Sequence, residues 1–129
     1  MLQWPPLKYI APCIYMAGIL LISSIHGTAD PEATIDINLG WLNPSLQNLL
    51  HFPLYGGLAV CWYWALSPWK TTVLVRTLVV ITICTIFGAF DEYYQSFIPG
   101  RTSSLSDLGR DFAGILLAVT LLAVFLMKR

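Results

Sequence analysis

The sequence predicts an all-α integral membrane bundle of four transmembrane helices, and two observations predict it. Hydrophobic residues make up 57% of the 129 positions and charged residues only 11%, against roughly 25% charged in a soluble domain. Apolar stretches long enough to cross a bilayer, which takes about 20 residues, recur at 9–25, 46–66, 72–92 and 107–127. A lipid surround removes the penalty on an apolar exterior, so the two observations share one cause. A single transmembrane domain over 1–129 is expected. The net charge of 0 gives no reason to expect a nucleic-acid partner.

The first stretch, Tyr9 to Ile25, follows Lys8 and has no Ala-x-Ala cleavage pattern before Asp30, so it reads as an uncleaved helix. The second opens after Asn43-Pro44, a cap residue followed by a proline at the first helical position. Pro53 lies inside it, leaves the Leu49 carbonyl without a helical donor, and predicts a kink. Ser67-Pro68-Trp69-Lys70 is a tight turn that makes the second and third stretches an antiparallel hairpin. From Thr72 to Phe90 the third carries one charge, Arg76, near its start, where the side chain can snorkel to the interface. The fourth opens near Asp107, with Ser103, Ser104 and Ser106 as candidate caps. Cys13, Cys61 and Cys84 fall within helices, match no metal spacing and read as packing residues. The tryptophans Trp4, Trp41, Trp62, Trp64 and Trp69 read mostly as interface anchors.

Basic residues set the expected orientation. Lys8, Lys70, Arg76, Lys128 and Arg129 fall on one side of such a bundle, and Arg101 and Arg110 on the other. That bias places both termini in the cytoplasm and the connections His26–Ser45 and Asp91–Ser106 outside.

The polar residues then gather at the outward face. His51 lies two turns into the second helix, Asp91, Glu92 and Gln95 close the third, and Arg101, Asp107, Arg110 and Asp111 surround the start of the fourth. Ionisable residues within spans are costly and face the bundle interior or water, which makes a functional site the default reading. The spacing sharpens it. His51 and Tyr55, Asp91 and Gln95, Glu92 and Ser96, and Asp107 and Asp111 are each four apart and share a helix face. Gly114 and Ala118 continue the Asp107–Asp111 stripe with small residues that let a neighbouring helix approach. Taken singly, each has a simpler account: His51 as an interfacial hydrogen-bonder, Asp91 and Glu92 as a solvated helix end, Arg101 with Asp107 as a loop salt bridge, His26 as a loop residue.

Two segments carry a resemblance. DEYYQSFIPGRTSSLSDLGRDFAG, Asp91 to Gly114, resembles the signature of VanZ-like membrane proteins, in which D-E-x-x-Q-x-F-x-P-G-R is followed by Ser, Asp, a second Asn or Asp, and Gly. HFPLYGG, His51 to Gly57, resembles that family's H-F-x-x-Y element. The shared polar positions are His51, Asp91, Glu92, Gln95, Arg101, Ser104, Asp107 and Asp111. Gln47 and Asn48 stand where family members often carry an Asp-Lys pair, and Ala118 stands at a family glycine. The resemblance implies a protein of the bacterial-type cytoplasmic membrane tied to low-level glycopeptide (teicoplanin) resistance. It also implies phosphotransfer between phosphatidylglycerol and a polyprenol.

The side-chain inventory suits that chemistry. Phosphoryl transfer needs positive groups on the phosphate, a base or nucleophile, and positioning. Arg101 and Arg110 can hold a phosphate at the start of the fourth helix, where the helix end also favours an anion. His51 serves as general base or as phosphorylated nucleophile. Asp91, Glu92, Asp107 and Asp111 orient these groups or bind Mg²⁺ or another divalent cation. The catalytic candidates are thus His51, Asp91, Glu92 and Asp111, with Tyr55, Gln95, Arg101, Ser104, Asp107 and Arg110 binding substrate. The expected partners are membrane lipids: a phospholipid, a polyprenol or a lipid-linked wall precursor. A binding protein without chemistry, holding a wall precursor in the same cavity, is the competing reading.

Overall fold

A computed structural model describes residues 5–25, 44–101 and 103–128. Among these residues there are four helices and no strand: α1 (Pro5–Ser23), α2 (Pro44–Ala65), α3 (Val73–Gln95) and α4 (Leu105–Met127). The helices alternate in direction along the chain, so α2 and α4 run parallel to each other. α2 is the centre of the bundle and touches all three others, most extensively α4. α1 packs mainly on α2 and has no such pairing with α4 among the described residues.

Local sequence accounts for the helix ends. Prolines open α1 and α2, where the missing amide costs no helical bond. Thr72 caps α3, its hydroxyl accepting from the Val75 amide at 3.2 Å. Ser104 caps α4 in the same way, accepting from the Asp107 amide at 3.2 Å. Between α3 and α4 the chain turns through Gly100 at φ 74°, a left-handed conformation that glycine adopts without strain. α2 runs unbroken through Pro53 to Ala65. Its expected start at Pro44 holds, while Asn43, His26, Trp4 and Trp41 lie outside the described residues.

Three sequence boundaries need correction. α1 begins four residues before Tyr9 and stops at Ser23, with Ser24 and Ile25 in the closing turn. α3 runs three residues past Glu92. Asp91, Glu92 and Gln95 are therefore buried helical residues, not a solvated helix end.

Each helix packs through an inward stripe of helical period. On α2 it is Tyr55, Leu58, Ala59 and Tyr63, with Leu66 just past its end; on α3 it is Val80, Cys84, Phe87 and Gly88; on α4 it is Gly114, Ile115 and Val119. α2 and α4 meet at their backbones, as the small residues predict. A Cβ on Gly114 would collide with the Phe52 carbonyl, and one on Gly56 would lie 3.3 Å from the Gly114 carbonyl oxygen. The outward faces are apolar: Ile14, Leu21, Leu74, Ile86 and Leu121 are all exposed. α3 and α4 are long and apolar enough to cross a membrane, with mean hydropathies of 2.3 and 2.0 over windows only 22% and 28% buried.

Candidate functional site

Towards one end of the bundle the three inward stripes turn polar together. On α2 the stripe reaches His51, on α3 it reaches Asp91, Glu92 and Gln95, and on α4 it begins with Asp107 and Asp111. The Gly114–Phe52 contact brings α2 and α4 close one turn away. There His51 Nδ1 lies 3.0 Å from Asp111 Oδ1. A carboxylate oxygen accepts, so Nδ1–H donates, which leaves the Nε2 lone pair free. The His51 and Tyr55 rings lie parallel, with centroids 6.5 Å apart.

Asp91 is held by two donors at one oxygen. The Tyr55 hydroxyl donates to Oδ2 at 3.1 Å, and Gln95 Nε2 donates to the same atom at 3.0 Å. Gln95 also donates to the Ser23 hydroxyl at 3.3 Å, tying α3 to α1. Glu92 Oε2 accepts the Ser104 amide at 3.1 Å and so anchors the start of α4. These three acids each keep one oxygen in reserve: Asp91 Oδ1, Glu92 Oε1 and Asp111 Oδ2 are buried with no hydrogen-bond partner among the described residues. Gly88 makes room for this packing, since a Cβ there would lie 3.3 Å from the Tyr55 ring and 3.5 Å from Asp111 Oδ2.

The arginines do not form the loop salt bridge that is the simpler account of Arg101. Arg101 does not pair with Asp107. Its Nε donates to the Ile25 carbonyl and its Nη2 to the Ile22 carbonyl, both at 3.1 Å. These carbonyls close α1, where a cation also complements the helix end. Burial pulls the pKa of Arg101 below its ordinary value, against the opposing charges of Asp91, Glu92 and Asp107. Asp107 pairs instead with Arg110, three residues on along α4. Ser104 is a cap, and its hydroxyl also meets that of Ser106 at 2.7 Å.

A cavity of about 290 Å³ opens between α1, α2 and α3. Ile19, Ile22, Leu50 and Leu54 form apolar walls, while His51, Asp91 and Arg101 stand among its polar lining. Of the sequence-predicted residues, Tyr55 and Gln95 also line it, whereas Glu92, Asp107, Arg110 and Asp111 do not. Ser23 and the α1 isoleucines were missed. They are ordinary membrane-helix residues, and only the docking of α1 gives them a role. One ring nitrogen of His51 and one oxygen each of Glu92 and Asp107 lie within 4.8 Å of one another, the described group best placed to hold a metal ion.

The family model described as VanZ/LLP1 matches residues 5–126, nearly the whole chain. No curated protein and no solved structure matches.

Proposed function

Since the chain belongs to the VanZ-like family, we propose that it is a multi-pass membrane enzyme that transfers a phosphate-bearing headgroup from a phospholipid to a lipid alcohol. The observation that carries this reading is the cavity, where apolar walls end at Asp91 with a buried, unpartnered Oδ1. An apolar chain of a lipid fits such walls, and its polar end then meets the carboxylate. Asp91 takes the proton from the acceptor hydroxyl, whose oxygen forms the new bond to phosphorus. The bond from phosphorus to the donor lipid's oxygen breaks, and the proton passes to that leaving oxygen. His51, fixed by Asp111, faces the headgroup, and the Nη1 of Arg101 is the guanidinium nitrogen left to meet it, since Nε and Nη2 hold α1.

All four helices span the membrane in this reading, with both termini in the cytoplasm and the acidic end outside. The exposed apolar faces support the first point. The second is supported by Lys8, Lys70, Arg76 and Lys128, which all stand at the opposite end of the bundle. The partners are membrane lipids.

A second reading has one observation in its favour. Arg101 spends two of its nitrogens on α1 and Arg110 spends its charge on Asp107, which leaves little free cation for a phosphate. That suits a protein that binds a lipid-linked wall precursor without turning it over and gives glycopeptide resistance by shielding it. The deciding experiment incubates purified protein with radiolabelled phosphatidylglycerol and a polyprenol. Transfer of label to the polyprenol, abolished in Asp91→Asn and His51→Ala, supports the enzyme. No product across a panel of donors and acceptors, together with retained binding of wall precursors, establishes the binder.

A further inference from the structure

Four buried acids share the polar end, Asp91, Glu92, Asp107 and Asp111. Among the described residues, Arg101 and Arg110 supply two positive charges against four negative, so the ionised cluster is two charges short of neutral. Buried charge without compensation is strongly unfavourable. Three of these acids also hold an oxygen with no partner. Glu92 is only 7% exposed and Asp111 only 1%.

The group within 4.8 Å, His51, Glu92 and Asp107, has a further regularity. Among the described residues, each member has one polar atom fixed by the protein and the other uncommitted. His51 Nδ1 is held by Asp111, which leaves Nε2. Glu92 Oε2 is held by the Ser104 amide, which leaves Oε1, buried and unpartnered. Asp107 Oδ1 is held by Arg110, which leaves Oδ2. A carboxylate on the far nitrogen of a histidine is the device that orients metal-ligating imidazoles, and outer partners on the carboxylates serve the same end.

We propose that His51, Glu92 and Asp107 bind one divalent first-row transition ion, of the Mn²⁺ or Zn²⁺ class, through Nε2 and two carboxylate oxygens. Metal–ligand distances of about 2.0–2.2 Å put donors on one ion roughly 3–4 Å apart, against atoms of these three side chains that lie within 4.8 Å of one another. The double positive charge matches the deficit of two. An imidazole donor disfavours Mg²⁺, which prefers oxygen ligands and retained waters. Three protein ligands leave an open position. An ion there would let the anionic headgroup approach a cluster that otherwise repels it, with His51 meeting the headgroup through the ion. The ion site shares His51 with the lipid-transfer cavity, and its role in transfer rests on that reading, but ion binding is measured without turnover, so the two ideas fail separately.

The test uses the full chain in detergent, stripped with EDTA and titrated with MnCl₂, ZnCl₂ and MgCl₂ separately by calorimetry. The expected result is one equivalent of Mn²⁺ or Zn²⁺, with Mg²⁺ weaker by about tenfold or more. Asp111→Asn should weaken binding by about 10–100-fold as an outer partner, and Glu92→Gln should weaken it further. Pulsed EPR of the Mn²⁺-loaded wild type should show coupling to one imidazole nitrogen, a signature that depends on no variant being folded. The proposal is overturned if neither Mn²⁺ nor Zn²⁺ binds stoichiometrically. It is also overturned if Mg²⁺ binds as tightly as both, if the nitrogen coupling is absent, or if Glu92→Gln binds like wild type.

Discussion

Tyr55 shows how one hydroxyl can serve packing and chemistry together. Its ring belongs to the buried core, while its hydroxyl donates to Asp91 Oδ2 and so turns the other oxygen of that acid free. Tyr55→Phe keeps the ring and removes the donor. The expected cost is about 1 kcal/mol, read as a lowered midpoint of unfolding in detergent, together with reduced headgroup transfer. Unchanged transfer would mean that Asp91 needs only Gln95 to hold it. Asp111→Asn keeps the size of the side chain but loses the carboxylate that fixes the His51 ring, so turnover should fall by about a hundredfold or more with the fold retained. A variant that turns over normally would remove His51–Asp111 from the mechanism. The proximity of His51 and Asp111 was legible in the sequence because both would be costly facing lipid and both sit near the same end of their helices. The position of Arg101 was not. Its acceptors are backbone carbonyls of Ile22 and Ile25, nearly eighty residues away, and no side-chain type announces such an acceptor.

The helices place these residues through their closest approaches. Gly114 stands three residues after Asp111, and the Phe52 carbonyl it faces is adjacent to His51, so this contact sets the spacing of the pair. Gly114→Ala puts a methyl group against backbone, which cannot rotate away. The expected destabilisation is about 1–3 kcal/mol, and loss of transfer should accompany it. Gly109 lies on the same helix with nothing within 4 Å of where its Cβ would be. Gly109→Ala should therefore stabilise α4 by roughly 0.5–1 kcal/mol. If both substitutions act alike in chemical unfolding, backbone contact is not what sets α2 against α4. The stripe of small residues made this pairing readable in advance. The true extent of α3 was less so, because Asp91-Glu92 looks like a charged helix end until burial shows that Gln95 continues the same face. Arg101→Lys belongs to this scale too. Lysine cannot hold two carbonyls with a planar fork, so the Ile22–Ile25 turn should lose hydrogen-exchange protection while α2–α4 keeps its own.

Across the whole molecule, charge is sorted between the two ends. At one, Lys8 donates to Ser67 and lies over the Trp64 ring, and Arg76 donates to the Ser67 and Trp69 carbonyls. At the other are the four acids, His51, Arg101 and Arg110. The four helices and their alternation follow from the apolar stretches and the tight turn at Ser67–Lys70, so this sorting was visible in the sequence. The peripheral docking of α1 was not, and the cavity between α1, α2 and α3 exists only because of it. Excess Lys and Arg on one side of a span retains that side in the cytoplasm, which predicts an exposed acidic end outside. The check replaces Cys13, Cys61 and Cys84, then adds a single cysteine at Ser67 or Ser103, both exposed and at opposite ends. A membrane-impermeant maleimide on intact cells should label Ser103→Cys, and should label Ser67→Cys only after permeabilisation. The reverse pattern would turn the bundle over and put the His51–Asp111 pair at the cytoplasmic leaflet. The lipids within its reach would then be those made inside the cell. Equal labelling of both positions in intact cells would mean that the helices between them do not cross the membrane at all.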